Sequence, residues 1–130
     1  MRAAPSKTAM HRTALLLFCL ALALPGCGEP PPRMQVAGGQ PDRGRAAIER
    51  YGCAACHTIP GVPSYGANVG PPLSAFAERS YIAGVLPNTP ANMVRWLRDP
   101  PRVDPRTAMP RLGLDEREAA DIAAYLYAAH

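Results

Sequence analysis

The sequence has 130 residues, a net charge of +4 and four cysteines, about one domain's worth of chain. Three of its cations, Arg2, Lys7 and Arg12, precede an apolar run, and without residues 1–26 the charge falls to +1 over 104 residues, so the basic total is no argument for nucleic-acid binding. Composition speaks against disorder, a collagen repeat and a multidomain enzyme, and a chain this short has a small core that needs a crosslink or a bound group.

The apolar run from Ala14 to Leu24 follows a basic stretch and precedes Pro25-Gly26-Cys27. This is the pattern of a secretory signal over residues 1–26, and it is too short to span a bilayer comfortably. Cys19 lies inside it. Leu24-Pro25-Gly26-Cys27 resembles the lipobox of bacterial lipoproteins, with an aliphatic residue at −3 and a small one at −1. The resemblance implies that Cys27 is acylated and anchors the chain to a membrane; an ordinary cut nearby, with Cys27 incidental, is the alternative. Residues 28–40 hold three prolines and two adjacent glycines and read as a flexible tether that reaches roughly 40 Å when extended.

The globular part is expected over residues 41–130. Pro41 to Gly52 carries the first helix signal, with Asp42 in the first turn, Ala46, Ala47, Ile48 and Tyr51 following, and Gly52 able to end it. Gly44 weakens an isolated helix, so its place there suits a close helix–helix approach. Cys53-Ala54-Ala55-Cys56-His57 comes next. A Cys-x-x-Cys-His run reads as c-type haem attachment: two thiols three residues apart on one turn each add to a vinyl group on one haem edge, and the following imidazole points at the iron. A redox dithiol would want a βαβ context, a zinc site a second ligand pair, and a plain disulfide is the remaining alternative.

Thr58 to Leu73 is loop, broken by Pro60, Gly61, Pro63, Gly66, Gly70, Pro71 and Pro72. A short helix is expected over Leu73 to Arg79 with Phe76 inward, then an extended or irregular stretch from Tyr81 to Pro87. Thr89 as N-cap with Pro90 at the first helical position opens a helix that carries Met93, Val94, Trp96 and Leu97 and stops at Asp99-Pro100-Pro101. Arg102 to Leu114 is loop. The last helix begins with a capping box, Asp115 with Glu118, and has an apolar stripe of Ala119, Ile122, Leu126 and Ala129. Strand signals are nearly absent. The expected class is all-α, short helices and long loops; such loops suit a small domain only when they wrap something large and apolar.

His57 is the proximal iron ligand by its place in the motif, and its other ring nitrogen should donate to a carbonyl. Candidates for the sixth position are Met34, Met93, Met109 and His130, or none. Met34 lies in the tether, Met93 suits a core position, and His130 is terminal. Met109 fits best, because Pro110 stiffens its loop and biases it away from helix. His/Met ligation favours electron transfer.

With these residues in place the chain resembles a class I c-type cytochrome over nearly all of Pro41 to His130, through Tyr51-Gly52, Cys53-Ala54-Ala55-Cys56-His57, Gly70-Pro71-Pro72-Leu73, Met109-Pro110 and the closing helix. The resemblance implies one covalent haem c, crossing first and last helices that use Gly44, Ile48, Tyr125 and Leu126, a Pro71 carbonyl accepting from His57, Leu73 packed on the haem face, and the Trp96 indole N–H at a haem propionate, with Tyr81 and Asn88 as weaker candidates for that role. A narrower likeness joins residues 81–92, Trp96-Leu97-Arg98-Asp99-Pro100 and Met109-Pro110 to the haem domain fused to subunit II of caa-type oxidases. It implies a respiratory electron carrier near a terminal oxidase; the signal and the lipobox place the chain on the exported, periplasmic side of the cell membrane, and a monomer is expected. Its donor would be quinol–cytochrome c reductase or another redox protein, and its acceptor a cytochrome oxidase. No catalytic residue is expected. A five-coordinate haem enzyme or gas sensor would need polar distal residues, and a fixed oxidase subunit would differ from a shuttle only in binding strength. Arg95, Arg98, Arg102, Arg106 and Arg111 form either a docking surface for an acidic partner or a solvated face.

Overall fold

The structure, a computed structural model, describes residues 34–64, 66 and 69–129. The expected signal, Cys27, the first part of the tether and His130 lie outside the described residues. Helices α1 (Pro41–Arg50), α2 (Pro90–Arg98), α3 (Pro100–Val103) and α4 (Glu116–Ala128) are joined by loops, two 3₁₀ turns (Cys53–Ala55 and Phe76–Glu78) and a two-stranded antiparallel ribbon, β1 (Tyr81–Ile82) with β2 (Leu86–Pro87). Among the described residues no helix is long and apolar enough to cross a membrane.

Local signals set the helix boundaries. Thr89 Oγ1 accepts from Asn92 N–H at 3.3 Å, ahead of Pro90. Asp115 accepts from Glu118 N–H at 2.7 Å while the Glu118 carboxylate accepts from Asp115 N–H at 3.1 Å, a reciprocal cap that satisfies two otherwise orphaned donors. Gly52 leaves α1 in the left-handed region at φ +69°, where a glycine carries no Cβ penalty.

The frame is α1 crossing α4. Gly44 is the contact point: a Cβ there would run into the Asp121 backbone carbonyl. Only a glycine lets the two backbones come this close. Ala47 and Ile48 on one side and Ala119, Ile122, Ala123 and Leu126 on the other bury the seam. Polar clamps close both of its ends. The Arg43 guanidinium is bidentate on Asp121, at 2.8 and 2.9 Å, and Glu118 takes Arg50 at 2.7 Å and the Tyr51 hydroxyl at 2.8 Å. The same carboxylate pushes the Tyr51 phenol above its ordinary pKa.

Three stretches differ from the sequence reading. Residues 34–40 do not behave as tether: Val36 to Gly39 forms a turn, Gly39 sits against the Ala120 carbonyl and Ala124, and Gln40 N–H donates to Asp121 at 2.7 Å. Met34, expected in solvent, is half-buried against the core. The stretch Tyr81 to Pro87 forms a small hairpin whose turn uses Ala83 and Gly84, both at positive φ. Helix α3 occupies the start of the expected loop, because a proline at N1 is pre-set for helix.

Candidate functional site

The loops enclose a cavity of about 580 Å³ with a largely apolar wall. Its lining comes from the end of α1, the Cys53–His57 turn, the Gly70–Leu73 loop, the hairpin, the inner face of α2, residues 107–110 and the inner face of α4. An apolar wall of this extent is unfavourable against water and suits a large apolar group that covers it. The fold is therefore shaped around a group that fills the space.

Cys53 and Cys56 are unpaired thiols in the wall, held on one tight turn by the hydrogen bonds from Cys56 N–H and His57 N–H to the Cys53 carbonyl, at 3.2 and 3.0 Å. Burial raises the Cys53 thiol pKa. His57 Nδ1 lies 2.8 Å from the Pro71 carbonyl oxygen. A carbonyl only accepts, so Nδ1 carries the proton and Nε2 keeps its lone pair for a metal. Gly70 makes this pairing possible, since a Cβ at that position would fall on the imidazole ring. Gly70 N–H donates to the Cys56 carbonyl at 2.8 Å and Leu73 N–H to that of Thr58 at 2.8 Å, which ties the loop to the attachment turn.

Met109 is half-buried in the wall of the same cavity. Its N–H donates to the Thr107 hydroxyl at 3.1 Å, so the residue is fixed from the side preceding it and by Pro110 from the side following. Pro71, Leu73 and Tyr81 also line the cavity, Tyr81 at its mouth with 59% exposure. Trp96 is buried in the lining, and among the described residues its indole N–H has no protein acceptor. Met93, fully buried on the same face of α2, is a second methionine in the wall. Met34 and Asn88 stand elsewhere. Asn88 donates to the Phe76 and Arg79 carbonyls, both at 2.8 Å, and accepts from the Tyr127 hydroxyl at 2.7 Å.

Of the lining residues the sequence reading did not single out, Arg79 is the charged one. Arg79 brings the cavity its guanidinium, stacked over Phe76 at 4.9 Å and donating to the Pro72 and Ser74 carbonyls at 2.5 and 3.1 Å. Its signal was isolation: between His57 and Arg95 the charged side chains are Glu78 and Arg79. A cation and a free indole donor in an apolar cavity suit a flat apolar group with carboxylate tails, and two thiols beside an imidazole suit its covalent attachment. The residues present fit haem c.

The comparisons agree. Residues 41–129 match the family model for cytochrome c. The chain belongs to the cytochrome c family, as a class I c-type cytochrome that carries haem c covalently and transfers electrons. It is 34% identical over 86 residues to cytochrome c oxidase subunit 2 of Alkalihalophilus pseudofirmus, covering 65% of this chain and 24% of that one. It is 35% identical over 65 residues to the same subunit of Bacillus sp. (strain PS3), covering 48% of this chain and 18% of that one. The chain thus spans about a quarter or less of the length of these relatives. Cytochrome c2 of Rhodobacter sphaeroides shares the fold, with a TM-score of 0.55 at 21% identity over 70% of this chain and 96% of that one.

Proposed function

We propose that the chain is a membrane-anchored, single-electron carrier of a respiratory chain, working at or near a terminal oxidase on the exported side of the membrane, with His57 and Met109 as axial iron ligands and Cys27 as the lipid anchor. The observation that carries the ligand assignment is the shared cavity: the Nε2 side of His57, fixed by the Pro71 carbonyl, and Met109, fixed by Thr107 and Pro110, line one apolar chamber with the two thiols.

When bound, haem c supplies the ferric/ferrous couple. The chain does the rest. Cys53 and Cys56 hold the group in place. The Pro71 carbonyl accepts a hydrogen bond from His57 Nδ1–H and keeps the ring in the ligating tautomer. Leu73, Phe76 and Leu97 exclude water, which disfavours the extra charge of the ferric state. Trp96 and Arg79, both in the lining, would hold the carboxylate tails of the bound group. With His57 and Met109 both holding the iron, the bound group would keep no place for oxygen or peroxide, and the product would be an electron moved rather than a substrate changed. The oxidase context is supported by the likeness to two oxidase subunits.

The test is the visible spectrum of the matured protein, oxidised and reduced, with and without carbon monoxide. A low-spin reduced spectrum indifferent to carbon monoxide is expected, with the weak long-wavelength ferric band of methionine–iron bonding. Met109→Ala should open the iron to carbon monoxide and lower the potential. An unchanged spectrum and potential in that variant would sink the ligand assignment.

A further inference from the structure

Helix α2 has two working faces. Met93, Trp96 and Leu97 line the haem cavity, whereas Ala91, Val94, Arg95 and Arg98 face a separate surface groove of about 1190 Å³. No residue lines both. The far wall of the groove is the strap formed by Gln35 to Gly38, and its ends are the Asp99–Arg102 segment and the first turn of α4.

The groove is strongly polarised. It contains Arg95, Arg98, Arg102, Arg111 and Arg117 against Asp99 and Glu116. Asp99 is taken by Arg111, and Glu116 by Arg98 at 3.5 Å. Among the described residues Arg95, Arg102 and Arg117 have no carboxylate partner within bonding distance. Residues 34–129 as a whole carry ten arginines and nine carboxylates, so a nearly neutral domain collects half of its cations in one concavity. Guanidinium groups in that setting select oxyanions, phosphate above all, through bidentate hydrogen bonds.

Position decides between a redox partner and a membrane. A redox protein seated in the groove would stand a helix's width, about 10 Å, behind the cavity wall. The cavity mouth is the better electron exit: Val69 and Tyr81 stand there at 74% and 59% exposure, and Arg79 is the one arginine of the lining, against five in the groove. The strap that walls the groove begins only eight residues after Cys27. Because residues 34–40 are fixed to α4, the chain from Cys27 to Met34 gives a reach of roughly 25 Å at most. An anchor on Cys27 would therefore keep the strap end of the groove within that reach of the bilayer.

We propose that this groove seats the phosphate headgroups of anionic phospholipids in the membrane that holds Cys27, leaving the cavity mouth uncovered for the redox partner. The choice of a headgroup over a protein, and the orientation, rest on the anchor reading; the arginine-lined groove itself does not.

The test separates the two. The mature, haem-loaded chain carrying Cys27→Ser has no acylated cysteine and is titrated with vesicles of phosphatidylcholine alone or mixed equally with phosphatidylglycerol. Binding to the anionic vesicles is expected to be at least about tenfold tighter and to vanish at high salt. Arg95→Gln/Arg102→Gln/Arg117→Gln should abolish that preference. Arg45→Gln/Arg50→Gln/Arg106→Gln removes the same charge outside the groove and should retain most of it. No anionic preference, or equal loss in both triple variants, overturns the proposal. So does a groove variant that binds vesicles normally yet loses salt-sensitive electron delivery to oxidase-containing membranes, which would assign the groove to an acidic protein. The mass of the secreted wild-type chain tests Cys27 acylation by itself, and an unacylated Cys27 would leave the vesicle result intact.

Discussion

His57 and Pro71 are fourteen residues apart and meet at 2.8 Å, imidazole Nδ1 to carbonyl oxygen. The contact exists because Gly70, next to the proline, has no side chain to occupy the space of the ring. Gly70→Ala is therefore a specific probe. Its backbone φ is not in the left-handed region, so the added methyl acts on the imidazole alone. Overpacking of this kind costs about 1–3 kcal/mol. The expected outcome is a lowered yield of attached haem and a mixed-spin spectrum in what remains, read by absorption of the purified protein. A variant with wild-type yield and spectrum would show that the ring tolerates displacement from the Pro71 carbonyl.

Gly44 makes the corresponding argument for the fold. Alanine is better than glycine inside a helix by about 1 kcal/mol, so a Gly44→Ala variant would gain stability if α1 stood alone. In the protein the new methyl meets the Asp121 carbonyl, which is backbone and cannot rotate away. We expect the clash to win by about 1–3 kcal/mol, a fall in Tm of roughly 5–20 °C. The spectrum of the folded protein should be unchanged. Thermal unfolding followed in the far ultraviolet decides it, and a raised Tm would mean that the helices separate easily.

Much of this was legible in the sequence, and for definite reasons. The attachment turn and both helix caps, at Thr89 and Asp115, depend on neighbours within four residues, so their chemistry shows in short windows; the Pro71 carbonyl meets His57 across fourteen residues, and its role comes through the family resemblance. The fold class follows from them once a large group is allowed to fill the loops. What stayed hidden is tertiary. Residues 34–40 have the composition of a tether and become part of the domain only because Gly39 fits against Ala120 and Gln40 finds the Asp121 carboxylate, 81 residues away. Arg79 sat in a stretch read for its Phe76, and its place in the cavity depends on carbonyls at Pro72 and Ser74. Asn88 looked like a partner for the bound group, yet Tyr127 and two carbonyls satisfy it.

The Asp121 carboxylate ties the strap, α1 and α4 together. It is 4% exposed, and the Arg43 guanidinium, with help from Gln40 N–H, holds it below the ordinary carboxylate value of 3.8. A carboxylate with a depressed folded-state pKa adds stability that is present above about pH 4 and lost as the pH falls through the lowered value. Asp121→Asn should cost about 1–3 kcal/mol at neutral pH, since one acceptor of the bidentate pair is lost and Arg43 keeps solvent. Below pH 4 the gap between the two proteins should narrow. Denaturant midpoints measured between pH 7 and pH 3 read both effects, and a gap that stays constant with pH would show that Asp121 contributes by shape and not by charge.

Tyr127 gives the opposite limb. It is almost fully buried, its ring meets Phe76 edge-on at 6.1 Å, and its hydroxyl donates to Asn88 Oδ1 at 2.7 Å. Burial pushes its phenol up to about 12 from an ordinary 10.0. A group whose folded-state pKa is raised contributes stability that is whole below the unfolded value and lost as the pH climbs through the folded one. Between pH 10 and pH 12 the wild-type protein should therefore lose stability to Tyr127 ionisation. Tyr127→Phe keeps the ring packing and gives up the hydrogen bond, about 0.5–1.5 kcal/mol at neutral pH, but has no proton to lose. The two stability curves should converge over that interval, read as denaturant midpoints at half-unit steps. Parallel curves would mean that the phenol titrates alike in the folded and unfolded chains, so that burial does not raise it.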